Sequence, residues 1–276
     1  MSPAQFAALL AASVGAGVMN AMAGGGTLLV FPTLLLLGQP SIVANATGTV
    51  GLVPGVVASL FGYRREVRTH RSWLKTLFLP SLVGGAIGSI LLLRTPERIF
   101  AHLAPLLILF ATLLFMLQGF LARRRAQPGD AQPGAPGAAG GAEPDGRVDP
   151  GHLTRQRWMV AWLCQLGISI YGGYFGAAIG ILMLAVLGFL GLRDIHAMNG
   201  LKNFFTLGVN GVAAAYFISR GVVDWPAALV IVLGSVLGGY GGARFARRIG
   251  REKARAAVVV IGLLVTAILA WQQWRG

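Results

Sequence analysis

The sequence predicts an all-α integral membrane protein made of two inverted-topology repeats. Each repeat holds roughly four to five helical segments and includes a broken or re-entrant Gly-rich stretch. Three observations predict this: apolar runs of membrane-spanning length, an internal match between the two halves, and an alternating distribution of basic residues.

The chain of 276 residues is 55% hydrophobic and 12% charged, with a mean hydropathy of +0.69. Crossing a bilayer takes roughly 20 mainly apolar residues. The first half offers apolar runs at 6–21, 26–38, 44–63, 73–93 and 99–121, and the second at 158–171, 175–191, 197–219, 225–245 and 254–271. In each half the first two are short or Gly-interrupted, and the last three are long enough to span. All should be helical, because lipid offers no partner to an open strand edge. Residues 1–122 and 157–276 form the two repeats. The segment between them, 123–156, includes RRRAQPGDAQPGAPGAAGGAEPDGRVDP, whose Pro, Gly and Ala without periodicity cannot bury a core. It reads as a flexible linker acting as a tether.

Sliding the chain by 154 positions brings Asn45 onto Asn199, Ser81 onto Ser235, Gly84 onto Gly238, Gly85 onto Gly239 and Gly88 onto Gly242 without a gap. Apolar coincidences carry little weight in such a chain, but the Asn pair and the SxxGGxxG block carry more. The GGxxG blocks read first as surfaces where helices approach closely. Duplicated units facing opposite ways are a common plan of secondary transporters, with the substrate site at the repeat interface.

The formal charge of +14 invites a nucleic-acid reading, which the distribution excludes. Of the 23 basic residues, 18 gather in the turn after Tyr63, in the linker and its edges, near the tail and at Arg193. That is the positive-inside bias of a membrane protein. It puts the 64–75 turn and the linker in the cytoplasm and the 94–98 turn outside. The counterpart of the first turn, 219–224, holds one Arg and one Asp and belongs outside. Equivalent loops on opposite sides give each half an odd number of crossings and place both termini outside, in a multi-pass protein of the bacterial inner (plasma) membrane. The N-terminus lacks a basic region, so no cleaved signal peptide is expected. Trp73 and Trp158 at inner ends, and Trp225, Trp271 and Trp274 at outer ends, fit interfacial belts. Cys164, the one cysteine, reads as a small apolar helix residue.

Two Gly-rich stretches, NAMAGGGT (20–27) and GGYFGAAIG (172–180), each fall between two short apolar pieces. Glycine at this density weakens a helix. Irregular backbone at membrane depth is tolerated only where protein buries it or it lines a cavity. Gly24, Gly25, Gly26, Gly176 and Gly180 are therefore candidates for presenting backbone donors to an anion; a simple crossing of helices at small residues is the alternative. Asn45 and Asn199 each open a long segment, with Thr47 and Asn203 close by. N-capping accounts for the asparagines as well as substrate contact does.

Capping does not account for Lys202, the only basic residue inside a segment away from its ends. An ionisable group at membrane depth is a functional hypothesis, with its partner to be named. All nine acids lie in loops or at segment ends, and only Asp194 could reach back toward it. Otherwise Lys202 must reach the headgroups, lose its proton or await an anionic substrate, and the last reading is favoured. A carboxylate proton relay has no residues to use, and His196 reads as structural. No His/Glu grouping suits an enzyme, and no metal or cofactor is expected.

At these residues the chain resembles the TauE/SafE family of sulfite exporter-like membrane proteins. The resemblance is carried by GGGTLLVFPTLLLLGQP and ANATGTVGLVPGVVASLFGYRREV in the first half. In the second it is carried by the stretch from YGGYFGAAIG through DIHAMNGLKNFFTLGVN to GVVDW. It implies a plasma-membrane transporter of small anions such as sulfite, sulfonates or related sulfur and organic anions, and Asn45, Thr47, Asn199 and Lys202 fall on positions like the family's motifs. The expected function is secondary transport by alternating access, with an anion channel using the same central site as the alternative. The expected partners are a small anionic substrate and the lipid bilayer; homo-oligomerisation is left open.

Overall fold

The structure, a computed structural model, describes residues 1–22, 24–125, 154–192, 194–249 and 259–271, the last without 261, 265 and 270. Among them there are helices and no strand. The order is α1 (Pro3–Met22), α2 (Thr27–Leu36), α3 (Ser41–Gly62), α4 (Arg64–Thr69), α5 (Arg71–Arg94), α6 (Glu97–Arg125), α7 (Arg155–Tyr174), α8 (Ile179–Phe189), α9 (Ile195–Ser219) and α10 (Trp225–Ile249). The described residues from 259 to 271 are helical, with Gly262 beside Thr112 of α6. Of the segment read as linker, 126–153 lie outside the described residues; Arg123–125 close α6 and Arg155 opens α7. The side chains of the basic tail cluster, 244–255, also lie outside them.

Spans within α1, α3, α5 and α6 are long and apolar enough to cross a membrane, and α2 and α8 are shorter apolar helices. On α10, Leu229, Leu233 and Leu237 repeat every fourth residue and are 59%, 58% and 64% exposed. That continuous outward apolar stripe has no place in water and fits lipid contact. The chain is a multi-pass membrane protein.

Glycines set the packing. A Cβ on Gly88 would stand 2.1 Å from Ile170 O, and one on Gly238 would stand 2.1 Å from Val14 O. The SxxGGxxG blocks thus hold α5 against α7 and α10 against α1, as the small-residue reading expected. Contacts pair Gly84 with Ser169 and Gly88 with Tyr174, then Ser13 with Gly234 and Val14 with Gly238. Residue numbers rise together in both pairs, so α7 runs parallel to α5 and α1 parallel to α10. Gly51 meets Ile231 and Gly55 meets Ser235, so α3 also runs with α10. Gly200 meets Tyr63, and Asn203 meets Ser59, so α9 runs against α3. One end of the bundle carries Ser41, Glu97 and Asp224 (the Glu97 end), and the other carries Tyr63 with the start of α9 (the Tyr63 end).

The halves share local detail, with a shift the ungapped alignment hid. Gly24 N donates to Met19 O and Gly176 N to Tyr171 O, an offset of 152. The helices α3 and α9 begin at an offset of 154, at Ser41 and Ile195. Two residues are therefore absorbed between the break and the long helix that follows. Backbone hydrogen bonds fix this register, whereas Leu and Ala coincidences did not.

Apolar side chains gather in two clusters. One contains Phe31, Phe100 and Phe175, with Phe31 and Phe175 edge to face at 5.2 Å. The other contains Trp73, Leu201 and Phe205. Trp73 is fully buried against Trp158, centroids 5.4 Å apart, instead of standing in an interfacial belt. Trp225 and Trp271 are half exposed, as belt residues are.

Candidate functional site

Both breaks are real interruptions of helix, and they touch. The chain leaves α1 with Gly24 at φ +83° and Gly25 at φ +103°, then re-enters helix at Thr27. It leaves α7 with Gly176 at φ +79° and Ala178 at φ +61°, then re-enters at Ile179. A left-handed alanine is a strained choice, of the kind that surrounding structure must hold in place. A Cβ on Gly24 would lie 3.0 Å from Gly180 Cα, so backbone meets backbone where the breaks cross. Asn20 fastens the first break: its Oδ1 accepts from Gly26 N at 2.8 Å.

A cavity of about 20 Å³ opens at this crossing. Gly24, Gly25 and Thr27 line it from the first break, Gly176, Ile179 and Gly180 from the second, and Lys202, Asn203, Thr206 and Asn210 from α9, with Asn20 and Val56 completing the wall. No carboxylate is among the lining residues.

Lys202 is 1% exposed, so it does not reach the headgroups. Nor does it meet Asp194, which caps α9 by accepting from His196 N at 2.9 Å. Lys202 Nζ instead donates to Asn20 O at 3.3 Å, in the last turn of α1. The last four carbonyls of a helix lack partners within it and carry its negative dipole end. Among the described residues that end is the side chain's one hydrogen-bond partner, and it is a partial charge where a carboxylate would be a full one. Meanwhile α2 and α8 both begin at the cavity, and their first N–H groups and positive dipole ends face anions favourably.

The structure thus brings together Lys202, Asn203, Gly24, Gly25, Gly176 and Gly180 from the sequence-derived set. Gly26 sits in the turn behind them and is not a wall residue. Asn45, Thr47 and Asn199 do not line the cavity. Asn45 Nδ2 donates to Tyr174 O at 2.9 Å, and Thr47 Oγ1 accepts from Asp224 N at 3.0 Å, both toward the Glu97 end. Asn199 Nδ2 returns to Ile195 O of its own helix at 2.9 Å. Neither asparagine is an N-cap: Pro40 occupies that position before α3, and Asp194 before α9. The cap of α3 arrives from elsewhere, for the Glu97 carboxylate accepts from Ser41 N at 2.5 Å and Ile42 N at 3.1 Å.

Four polar wall residues escaped the sequence reading as individuals, Asn20, Thr27, Thr206 and Asn210, as did the apolar Val56 and Ile179. Asn20 and Thr27 end the first Gly-rich stretch without having been singled out. The α9 residues could have been found by spacing, because Asn199, Asn203, Thr206 and Asn210 stand on one helical face. Asn210 is 9% exposed, and its Oδ1 has no hydrogen-bond partner among the described residues.

The protein family described as Sulfite exporter TauE/SafE matches residues 9–269, nearly the whole chain. The chain belongs to the TauE/SafE family. It is similar to a "Probable membrane transporter protein" of Haemophilus influenzae, 27% identical over 264 residues that cover 94% of this chain and 91% of the relative. It is also similar to the "Probable membrane transporter protein ORF9" of Sinorhizobium sp., at 24% identity over 92% and 88% of the two chains. A third similar protein is the "Probable membrane transporter protein YfcA" of Escherichia coli K12, at 24% over 98% and 91%. No solved structure matches. A TauE/SafE chain with such relatives is a membrane transporter family member, and the contacting breaks lie inside the matched region.

Proposed function

We propose that this protein is a secondary transporter that moves a small anion, such as sulfite, a sulfonate or a related sulfur or organic anion, across the bacterial plasma membrane by alternating access. The observation that carries the reading is the buried Lys202 amine in a cavity walled by two helix breaks and by no carboxylate. Its charge is met only by carbonyl dipole, so an anion entering the cavity would complete it. Asn20, Asn203, Thr206 and Asn210 would orient the guest, and the first turns of α2 and α8 would add backbone donors.

Support for inverted repeats comes from helix direction. Under the correspondence α1 with α7, α3 with α9 and α5 with α10, each of these three helices of the first half runs opposite to its counterpart. We read the linker side as cytoplasmic and both termini as external, following the positive-inside bias. A carrier is favoured over a channel because about 20 Å³ is roughly the room of one water. Sulfite is larger, so the site must widen to load, as a carrier's does.

Counterflow in proteoliposomes tests this reading. Vesicles preloaded with unlabelled sulfite, sulfoacetate or chloride should accumulate the labelled anion transiently for at least one of the three. Passive flux at channel rates without counterflow would support the channel instead, and no flux of any of them would remove the anion.

A further inference from the structure

We propose that Asn45 and Asn199 are exchanging latches of the alternating gate: Asn45 pins the end of α7 in the arrangement seen, and Asn199 pins the end of α1 in the opposite one. This rests on the transporter reading above. The two asparagines occupy equivalent positions, each on the fifth residue of its long helix. Their bonding is nevertheless unequal. Asn45 reaches across to Tyr174 O, the terminal carbonyl of α7. Asn199 turns back onto Ile195 O, four residues earlier in its own helix. At the offset of 152 that relates α1 to α7, the carbonyl equivalent to Tyr174 O is that of Met22, the last residue of α1. At the offset of 154, the equivalent of Ile195 is Ser41.

In a machine of two equivalent, oppositely directed halves, the second state is the first with the halves' conformations exchanged. That exchange has Asn199 holding Met22 O while Asn45 falls back on Ser41 O. Both asparagines keep a buried Oδ1 without a hydrogen-bond partner among the described residues, as side chains do that no single arrangement fully satisfies.

The rest of the Glu97 end follows the same asymmetry. Asp224 accepts from Gln39 Nε2 and donates its N–H to Thr47 Oγ1, and Tyr174 Oη lies 3.3 Å from Thr95 Oγ1. These bonds tie α3, α5, α7 and α10 together at one end. The counterpart of Thr47 is Leu201, which has no hydroxyl to offer.

Lys202 couples the latches to the cargo. Its ammonium now holds Asn20 O, in the last turn of α1. An anion drawing the ammonium into the cavity releases that turn, and Asn199 is the donor positioned one helical turn away to take it over.

The test uses the full chain with Cys164→Ser and a reporter, Val56→Cys, in the cavity wall. Labelling by a membrane-impermeant thiol reagent is measured from each side of oriented vesicles. Removing one net hydrogen bond should shift the balance about fivefold. Asn45→Ala should raise labelling from the Glu97 side and lower it from the Tyr63 side, and Asn199→Ala should do the reverse. Asn45→Asp, close in volume and without the amide donor, replaces the alanine variant should that fail to fold. Shifts in the same direction, or no shift, overturn the latches. Absence of anion counterflow in the unsubstituted chain would fault the transporter reading instead, whereas counterflow in that chain with unmoved labelling in the reporter faults the latches alone.

Discussion

Charge placement at single residues carries this account. Lys202 is fully enclosed, and among the described residues its one hydrogen bond runs to a helix-end carbonyl. The sequence exposed the lysine because it stands alone in an apolar segment, and it also exposed the lack of buried carboxylates. Asn210 supplies a sharper test of what the cavity wall is for. Its Oδ1 is buried and unpartnered, and such an acceptor costs about 1–3 kcal/mol. Asn210→Leu should therefore leave the melting temperature of the anion-free protein unchanged or higher, while the apparent affinity for the transported anion falls about tenfold. Anion titrations followed by thermal unfolding check both at once, and an unchanged affinity would remove Asn210 from the site. Glu97 is a different kind of residue, a cap lent by one helix to another. Glu97→Gln weakens a charged cap of a kind worth about 1 kcal/mol and should lower Tm in detergent by about 2–4 °C without altering anion affinity.

Legibility changes at the scale of helices and breaks. Each of the apolar runs read from sequence corresponds to helix within the described residues, because apolar length is a strong signal in lipid. The short α4 (Arg64–Thr69) was not expected, since six residues with Val67 as the one apolar side chain carry no such signal. The Gly-rich breaks were visible as composition, but their contact was not: nothing local says that Gly24 rests on Gly180. Asn45 and Asn199 misled for the same reason. Their position near helix starts suggested capping, while the actual caps, Glu97 and Asp194, depend on a distant helix in one case and an unremarkable loop in the other. Gly spacing was the more dependable guide to packing. Gly88→Ala would drive a Cβ to 2.1 Å from backbone oxygen, and no side-chain motion relieves a backbone contact. That variant should yield little monodisperse protein by size-exclusion chromatography. Gly167→Ala, with nothing within 4 Å, should behave as the parent does. Equal yields would mean that the helices do not pack as closely as described.

At the scale of the whole molecule, α1, α3 and α10 among the described residues run one way and α5, α7 and α9 the other, around a small polar cavity. The correspondence between halves accounts for the shared hydrogen-bond patterns, the paired GGxxG contacts and the unequal asparagines together. It also predicts sidedness. A cysteine placed at Ser2 and one placed at Arg220 should both react with impermeant reagent from the periplasmic side in intact cells, and one at Arg64 should not. Reaction at Arg64 alone would turn the whole topology over.

The most direct measurement is thermal stabilisation of the purified protein by a panel of small anions, taken on the parent and on Lys202→Met. A ligand that binds only the folded state raises stability by RT ln(1 + [L]/Kd), about 2.7 kcal/mol at a hundredfold excess over Kd. The account predicts that at least one anion stabilises the parent in a concentration-dependent way, and that Lys202→Met unfolds normally but responds to none. Equal stabilisation of both proteins by the same anion would contradict it.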